Sequence, residues 1–504
     1  MEIRLSSAKG RWIILTTVLG SSMALLDGTV VNVALPHIGD DLDATLSALQ
    51  WTVNAYTLTL AALILLGGSL GDRYGRRRVF VIGVVWFGLG SLLCGIAPSA
   101  DLLILARALQ GIGGALLVPG SLAIIQGSFH PDDRARAVGV WSGLGGVGAA
   151  VGPFLGGYLV DGPGWRWVFL INLPLAAICV PVALRHAPES RDPAHHGRFD
   201  VTGAVLGAGA LALVTYALIA KEPWSGLAGV LVAVGFVLYE HRTPDPMLPL
   251  SIFKSRLFTS VNLVTLCVYA AFGGFFFLGS LQLQVVVGYS ALGAGAALLP
   301  TTALMLLFSA RSGELAGRIG PRIPLTVGPL LCAGGLLLML RVGPGASYLA
   351  DVLPALLVLG LGMVTIVAPL TATVLASVEV GRAGLASGIN NAAARAAGLL
   401  AVAALPLIAG TSPEAFRSAT EFNHTFRTSM PLCAGILAVG SVVAFLTVRT
   451  PKPAEAGAPG DHERSEGPEC RIHCGLSSPP LEPVREADRS ADRPAADGGA
   501  GRAS

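Results

Sequence analysis

Charged side chains are scarce in this chain: 13% of its 504 residues are Asp, Glu, Lys or Arg, against 53% hydrophobic, and the mean hydropathy is +0.67. A soluble globule of this length could not cover its surface with so little polar material, so that class is excluded. Lysine is scarcer still. The four present, Lys9, Lys221, Lys254 and Lys452, never follow a glycine, which excludes the Gly-Lys-Ser/Thr phosphate loop and with it a built-in ATPase. Cysteine is too thinly spread for a disulfide framework: of seven, Cys94, Cys179, Cys267, Cys332 and Cys433 fall in apolar stretches as small hydrophobes. The remaining two, Cys470 and Cys474 in "CRIHC", lack a fourth ligand and a fold around them, so no metal site is read there. Gly143-x-Gly145-x-x-Gly148 has the spacing of a dinucleotide fingerprint but no strand before it, and it is set aside. No catalytic residue, cofactor or nucleic-acid partner is expected.

What is present is a succession of apolar stretches of roughly 18 to 25 residues, the length of helix that crosses about 30 Å of hydrocarbon. Fourteen are read, near residues 12–35, 50–71, 79–98, 102–125, 136–160, 166–186, 200–220, 224–240, 258–279, 290–310, 322–341, 348–375, 386–410 and 428–448. The chain is therefore an all-α integral membrane protein, multi-pass in the cell (plasma) membrane, with the lipid bilayer as its first partner. Between the spans, about 21 Lys and Arg lie on one side and about 5 on the other, and the positive-inside rule makes the richer side, with both termini, cytoplasmic. Residues 1–11 form a short cytoplasmic N-terminus. From 449 the composition turns to Pro, Glu, Arg, Asp, Gly and Ser, as in "ADRSADRPAADGGAGRAS", and 449–504 reads as a disordered cytoplasmic tail.

An internal repeat divides the spans. "GSLGDRYGRR" (Gly68 to Arg77) follows the second and "GELAGRIGPR" (Gly313 to Arg322) follows the tenth, matching at Gly68/Gly313, Leu70/Leu315, Arg73/Arg318, Gly75/Gly320 and Arg77/Arg322. Two six-helix halves, 12–186 and 258–448, thus start alike and leave 200–240 as an inserted pair, a 6+2+6 plan. Parallel repeats around a central cavity are a transporter architecture.

Charges away from the span ends are few: Asp27 in the first span, Arg107 in the fourth and Arg395 in the thirteenth. A carboxylate at the bilayer centre costs at least about 2.5 kcal/mol, so Asp27, in "LDGTVVNVALP", needs a functional reason or an escape to water. The first span runs outward and the fourth inward. Asp27, about fifteen residues from its inner end, and Arg107, about five from its outer end, then lie at similar depth and can pair. A carboxylate whose water access changes between two conformations can bind a proton on one side and release it on the other, which makes Asp27 with Arg107 the candidate for proton coupling. Ser387, Asn391 and Arg395 recur at intervals of four as one polar stripe, either a tie between helices or a cavity lining. Asn32, Trp51, Asn54 and Gln110 are further cavity candidates, with Trp51 alternatively an interfacial anchor. One buried carboxylate can balance one positive charge on a ligand, and nothing supports dication binding.

Gly68 and Gly75 in "GSLGDRYGRRRVF" permit a tight turn and close helix approach, and Arg73, Arg76, Arg77 and Arg78 form a basic cluster beside them. The fifth span, "GLGGVGAAVGPFLGGYL", is dense in small residues and bent by Pro153, a pattern for close helix packing. The loop resembles the signature between helices 2 and 3 of the major facilitator superfamily, and "LILARALQGIGGA" resembles that family's fourth-helix motif. "GAAVGPFLGG" is similar to its fifth-helix antiporter motif. "LDGTVVNVALP" resembles the first-helix motif of its fourteen-helix drug:proton antiporter branch, the QacA/EmrB-like multidrug exporters. "WRWVFLINLP" from Trp165 and "GLASGINNAAARAAG" from Gly384 extend the resemblance over nearly all of 12–448.

The resemblance implies a major facilitator fold. It implies a cytoplasmic gate of Gly68, Asp72, Arg73, Gly75, Arg76 and Arg77, with Asp72 facing a helix N-terminus of the other half and Gly317 lacking that charge in the second copy. It also implies an antiporter motif of Gly148, Gly152, Pro153, Gly156 and Gly157, and export rather than import. The expected function is proton-driven export of amphipathic small molecules, drugs or antibiotics, by a monomer that uses a proton gradient and no cofactor. Export of one endogenous product by the same machinery, and a non-transporting membrane sensor or scaffold, stay open at this point.

Overall fold

The computed structural model describes residues 3–191, 200–379, 382–412 and 415–448; the segment from 449, with Cys470 and Cys474, lies outside them. In hydrocarbon a helix satisfies its own backbone groups, and the described residues are organised accordingly. They run through α1 (Ala8–Asp41), α2 (Leu46–Tyr74), α3 (Arg76–Gly95), α4 (Ala100–Ser128), α5 (Pro131–Asp161), α6 (Trp167–His186) and α7 (Val201–Ala220). These are followed by α8 (Pro223–Arg242), α9 (Arg256–Val286), α10 (Ala291–Ile319), α11 (Arg322–Arg341), α12 (Tyr348–Ala376), α13 (Gly384–Ile408) and α14 (Ala419–Thr447). Among the described residues the β pairing is one isolated bridge, Ile3 with Phe129.

Thirteen of these helices are long and apolar enough to cross a membrane; α5, 31 residues long, is not among the thirteen. A helix nevertheless underlies each of the fourteen apolar stretches, with α3 stopping at Gly95 and α13 at Ile408, short of the ends read at 98 and 410. The starts follow capping side chains rather than the rise in hydropathy. Ser7, Thr45, Ser99, Ser255, Ser290 and Ser418 accept from amides in the first turns of α1, α2, α4, α9, α10 and α14. For this reason α1 begins inside the segment read as the N-terminal extension, and α14 begins well before its apolar run.

α1 packs on α5 and α4, and α4 also on α2 and α3; α9 packs on α13 and α14, and α12 on α10 and α11. The close approach of α2 to α4 depends on Gly67, where an added Cβ would overlap the Ala115 carbonyl. α7 and α8 pair with each other, and α7 leans on α2 and α13. α8 turns Trp224, Val230, Leu231 and Val234 outward, the side chains expected against lipid. A polar clasp holds the far end of this hairpin: Asp200 accepts from the amides of Gly203 (2.7 Å) and Met247 (3.1 Å), and buried Glu240 accepts from Leu248 (3.0 Å).

The apolar core has two parts. One, with Ile13, Phe80, Phe87 and Phe129, lies within α1–α6 near the face where α1 begins. The other runs from Val30, Leu35 and Leu49 across to Phe275, Leu281 and Ala291, so the two sets of helices share a core toward the opposite face.

Candidate functional site

Asp27 lies on α1 with its side chain fully buried, 0% exposed, and its partner Arg107 on α4 is 1% exposed. The Arg107 guanidinium donates to Asp27 Oδ2 and to Gln110 Oε1 (2.6 Å), and its Nε donates to the Thr52 carbonyl on α2 at 3.0 Å. Gln110 donates onward to Asp27 Oδ1 and to Ser91 Oγ on α3, both at 2.8 Å. Asn172, at the turn that interrupts α6, donates to Ser91 Oγ at 2.9 Å and to Asp27 Oδ1 at 3.4 Å. The guanidinium carbon lies 4.3 Å from the Tyr56 ring centroid and 5.5 Å from that of Phe169, both in cation–π range. Five helices therefore converge on one carboxylate, and both its oxygens are occupied. A buried ion pair is tolerable in low dielectric only when its remaining donors and acceptors are satisfied, as here.

Gln110, expected to line a cavity, is instead sealed inside this network. Ser91, Asn172, Thr52 and Tyr56 were not singled out by sequence, because a lone small polar or aromatic residue in an apolar span is commonplace. Asn172 lies inside "WRWVFLINLP", which was the available signal.

The cavity candidates scatter. Gly28, one residue from Asp27, is exposed, and a Cβ added there meets nothing within 4 Å, so open space reaches the α1 backbone at this depth. Asn32, one turn on, is part-buried with its amide on the Gly28 carbonyl. Asn391 is exposed and donates to the Ser387 carbonyl at 3.2 Å. Trp51 stacks tilted on Tyr216 of α7, ring centroids 6.5 Å apart, and so faces the inserted pair rather than the cavity. Asn54 is fully buried with neither amide atom hydrogen-bonded, and Arg395 has a buried, unbonded Nε.

The α2–α3 loop is tied within its own half. Asp72 pairs with Arg76 at 2.8 Å, one turn away, and Arg76 also donates to the Ala123 carbonyl of α4. Gly75 turns at φ +114°, and the Arg77 amide and the Arg77 and Arg78 side chains converge on Glu189 just beyond α6. Arg73 lies over the Tyr74 ring, 5.8 Å from its centroid. A Cβ added at Gly68 has only Pro119 in van der Waals range. Among the described residues Asp72 is paired within its own half, with Arg76, and not at a helix N-terminus of the second half as expected. On this face open space adjoins α5 and α10, while α2 still meets α13 at Leu65 and Gly388. Added Cβ atoms at Gly139 and Gly143 of α5 and at Gly317 of α10 meet nothing within 4 Å.

The opposite face is closed. Gly148, Gly152 and Gly156 of α5 lie against Ser22, Thr29 and Val30 of α1, where a Cβ would press on each. Gly157 lies against the Ala291 and Leu292 backbone of α10, and Gly295 against the Pro153 carbonyl, so the last turns of α5 meet the first turns of α10. Asp161 caps that junction, accepting from the amides of Ala291 (3.2 Å) and Leu292 (2.9 Å) at the positive end of α10. Gln50 donates to the Val402 carbonyl at 2.7 Å, Gln284 to that of Val33 at 3.0 Å, and Arg417 pairs with Asp43.

Two helical sets joined at one face, with open space beside α5 and α10 toward the other and a buried charge network inside the first set, have the form of a membrane transporter. The profile of the Major Facilitator Superfamily matches residues 17–402, and the chain belongs to that family. It is 37% identical over 478 residues to the puromycin resistance protein of Streptomyces alboniger, covering 89% of this chain and 94% of that one. It is also 37% identical over 390 residues to the multidrug resistance protein Stp of Mycobacterium tuberculosis, covering 75% and 72% respectively. Among solved structures, the inward-facing, unoccupied form of a bacterial homologue of the human lysosomal transporter Spinster superposes with a TM-score of 0.62 at 18% identity. That match covers 88% of this chain and 97% of that one, and shows the shared fold.

Proposed function

We propose that this protein is a proton-driven exporter of amphipathic small molecules, drugs or antibiotics among them. In this reading the chain crosses the plasma membrane fourteen times, with α5 as the fourteenth crossing and both ends in the cytoplasm, and works as a monomer of two six-helix halves with α7 and α8 inserted. The basic α2–α3 loop lies on the face where space opens beside α5 and α10, which supports reading the structure as inward-facing. The observation that carries the proposal is the sealed Asp27 network beside the open surface at Gly28. In the inward-facing state the carboxylate is held by Arg107, Gln110 and Asn172, out of reach of water. Opening of the opposite face, where α5 parts from α10, admits water and a proton to Asp27; on return to the inward state Arg107 re-engages and the proton leaves through the open space at Gly28 into the cytoplasmic water before the network reseals. One proton crossing 100 mV supplies about 2.3 kcal/mol. Names of relatives such as "resistance" and "multidrug resistance" support export as the direction.

The test uses inverted vesicles holding the full chain. Wild type dissipates an imposed proton gradient when a hydrophobic dye is added, Asp27→Asn inserts but does not, and Asp27→Glu retains part of the activity. Normal dye-dependent proton movement by Asp27→Asn would sink the assignment.

A further inference from the structure

The first half holds its charge in a closed network, whereas the second half leaves one open. Arg395 lies mid-way along α13, about 16 Å of helix from its start. Among the described residues it has no hydrogen bond and no salt bridge, and its Nε is buried without a partner. Among the described residues no carboxylate lies within salt-bridge distance of it. Seven residues, two turns of helix, separate Arg395 from Gly388 on one side and from Val402 on the other, and both of these meet α2, so Arg395 lies on the face of α13 turned to the first half. One turn earlier on the same face, Asn391 is exposed.

A second unpartnered group lies on the helix that faces it. Gln50, Asn54 and Leu65 share one face of α2, and the first and last of them touch α13, at Val402 and Gly388. Asn54 lies between them, fully buried, with both its amide nitrogen and its amide oxygen unbonded. A guanidinium and a carboxamide without partners at the centre of a membrane protein each cost free energy unless something fills them. The protein's own acid cannot do so. Asp27 is the one carboxylate far from a helix end among the described residues, and its oxygens are taken by Arg107, Gln110 and Asn172. The charge left for a ligand to meet is positive, the reverse of the balance expected from the sequence.

We propose that Arg395, on the face of α13 turned to α2, binds the anionic end of an amphipathic substrate, so that the protein takes organic anions in preference to organic cations. The word substrate rests on the transport reading above; the binding preference does not, and it is testable without a gradient. Tetraphenylborate and tetraphenylphosphonium have nearly the same shape and opposite charge. Equilibrium dialysis of each against the purified full-length protein in detergent should show tighter binding of the borate by about tenfold, the scale of a Coulomb attraction of about 1.4 kcal/mol to one cationic side chain. Arg395→Gln should abolish that preference, Arg395→Lys should keep most of it, and Arg395→Glu should reverse it. A wild type that prefers the phosphonium, or binds neither probe, overturns the proposal, as does a preference unchanged in a folded Arg395→Gln protein. Absence of dye-dependent proton movement in the wild type with the charge preference intact would instead count against the transport reading alone.

Discussion

At the start of α3, Gly75 turns at φ +114° and Arg77 donates to the carbonyls of Leu184 (3.4 Å) and Ala187 (3.2 Å), at the end of α6. At the start of α11, Gly320 turns at φ +82° and Arg322 donates to the Phe445 carbonyl at 3.0 Å, near the end of α14. The two halves thus repeat the same backbone device: a glycine that accepts the left-handed turn, then an arginine that ties the third helix to the sixth. Their charges are not repeated. Asp72 pairs with Arg76 in the first copy, while Gly317 and Pro321 occupy those places in the second. Deeper in the bundle, Arg107 is enclosed by five helices, and Arg395 makes neither hydrogen bond nor ion pair among the described residues. Packing geometry is duplicated between the halves, and the ionisable side chains are not.

The largest expected difference between the halves is in stability. Arg107→Ala leaves Asp27 buried without its cation, and breaking such a pair costs about 3–5 kcal/mol. Arg395→Ala removes a group that has no protein partner and should lower thermal stability far less. Melting temperatures of the two variants in one detergent decide this, and an equal or greater loss for Arg395→Ala would erase the contrast.

An intermediate effect belongs to the glycines. Gly157→Leu drives a side chain into the α10 backbone, an overpacking worth about 1–3 kcal/mol against the closed face, and should block transport while insertion persists. Gly435 of α14 is exposed with nothing near its Cβ position, so Gly435→Leu should transport normally. Dye efflux at matched expression separates them. Normal efflux by Gly157→Leu would show that the α5–α10 contact is not part of the cycle.

The smallest stability effect concerns the repeated loop. Asp72 and Arg76 are an i,i+4 pair near the surface, worth about 0.3–0.5 kcal/mol to the fold, so Asp72→Asn should scarcely shift the melting temperature. It should nevertheless impair efflux if the loop reaches the other half when the cytoplasmic face closes. Gly317→Asp, which writes the missing charge into the second copy, should leave melting and efflux near wild type. Unchanged efflux in Asp72→Asn would return the loop to a role in topology.

The helices were legible because lipid leaves a chain segment few alternatives. Apolar runs of the right length must be helical, and all fourteen runs lie under helices, though thirteen satisfy the length and composition required to cross. Depth was legible too: residue counts place Asp27 and Arg107 at one level. What binds the carboxylate was not legible, since Ser91 and Asn172 carry no periodic or compositional signal. Trp51 turned to α7 and Gln110 into the network for the same reason, because a span's composition does not say which way a side chain points.

Sequence alone therefore determined that this chain is a bundle of membrane helices built from a repeated half, with three ionisable side chains committed to its interior. Hydropathy, loop charge and the repeat at Gly68 and Gly313 are one-dimensional quantities, and they suffice for that. Only the tertiary structure decided which of those charges are paired. Hydrogen bonds and ion pairs form over about 3 Å between residues 80 or more positions apart, such as Asp27 with Arg107, and their presence depends on helix rotation and on which face of the bundle is closed. That is why the carboxylate proved sealed, the Asp72 loop unlatched from the second half and Arg395 left without a partner.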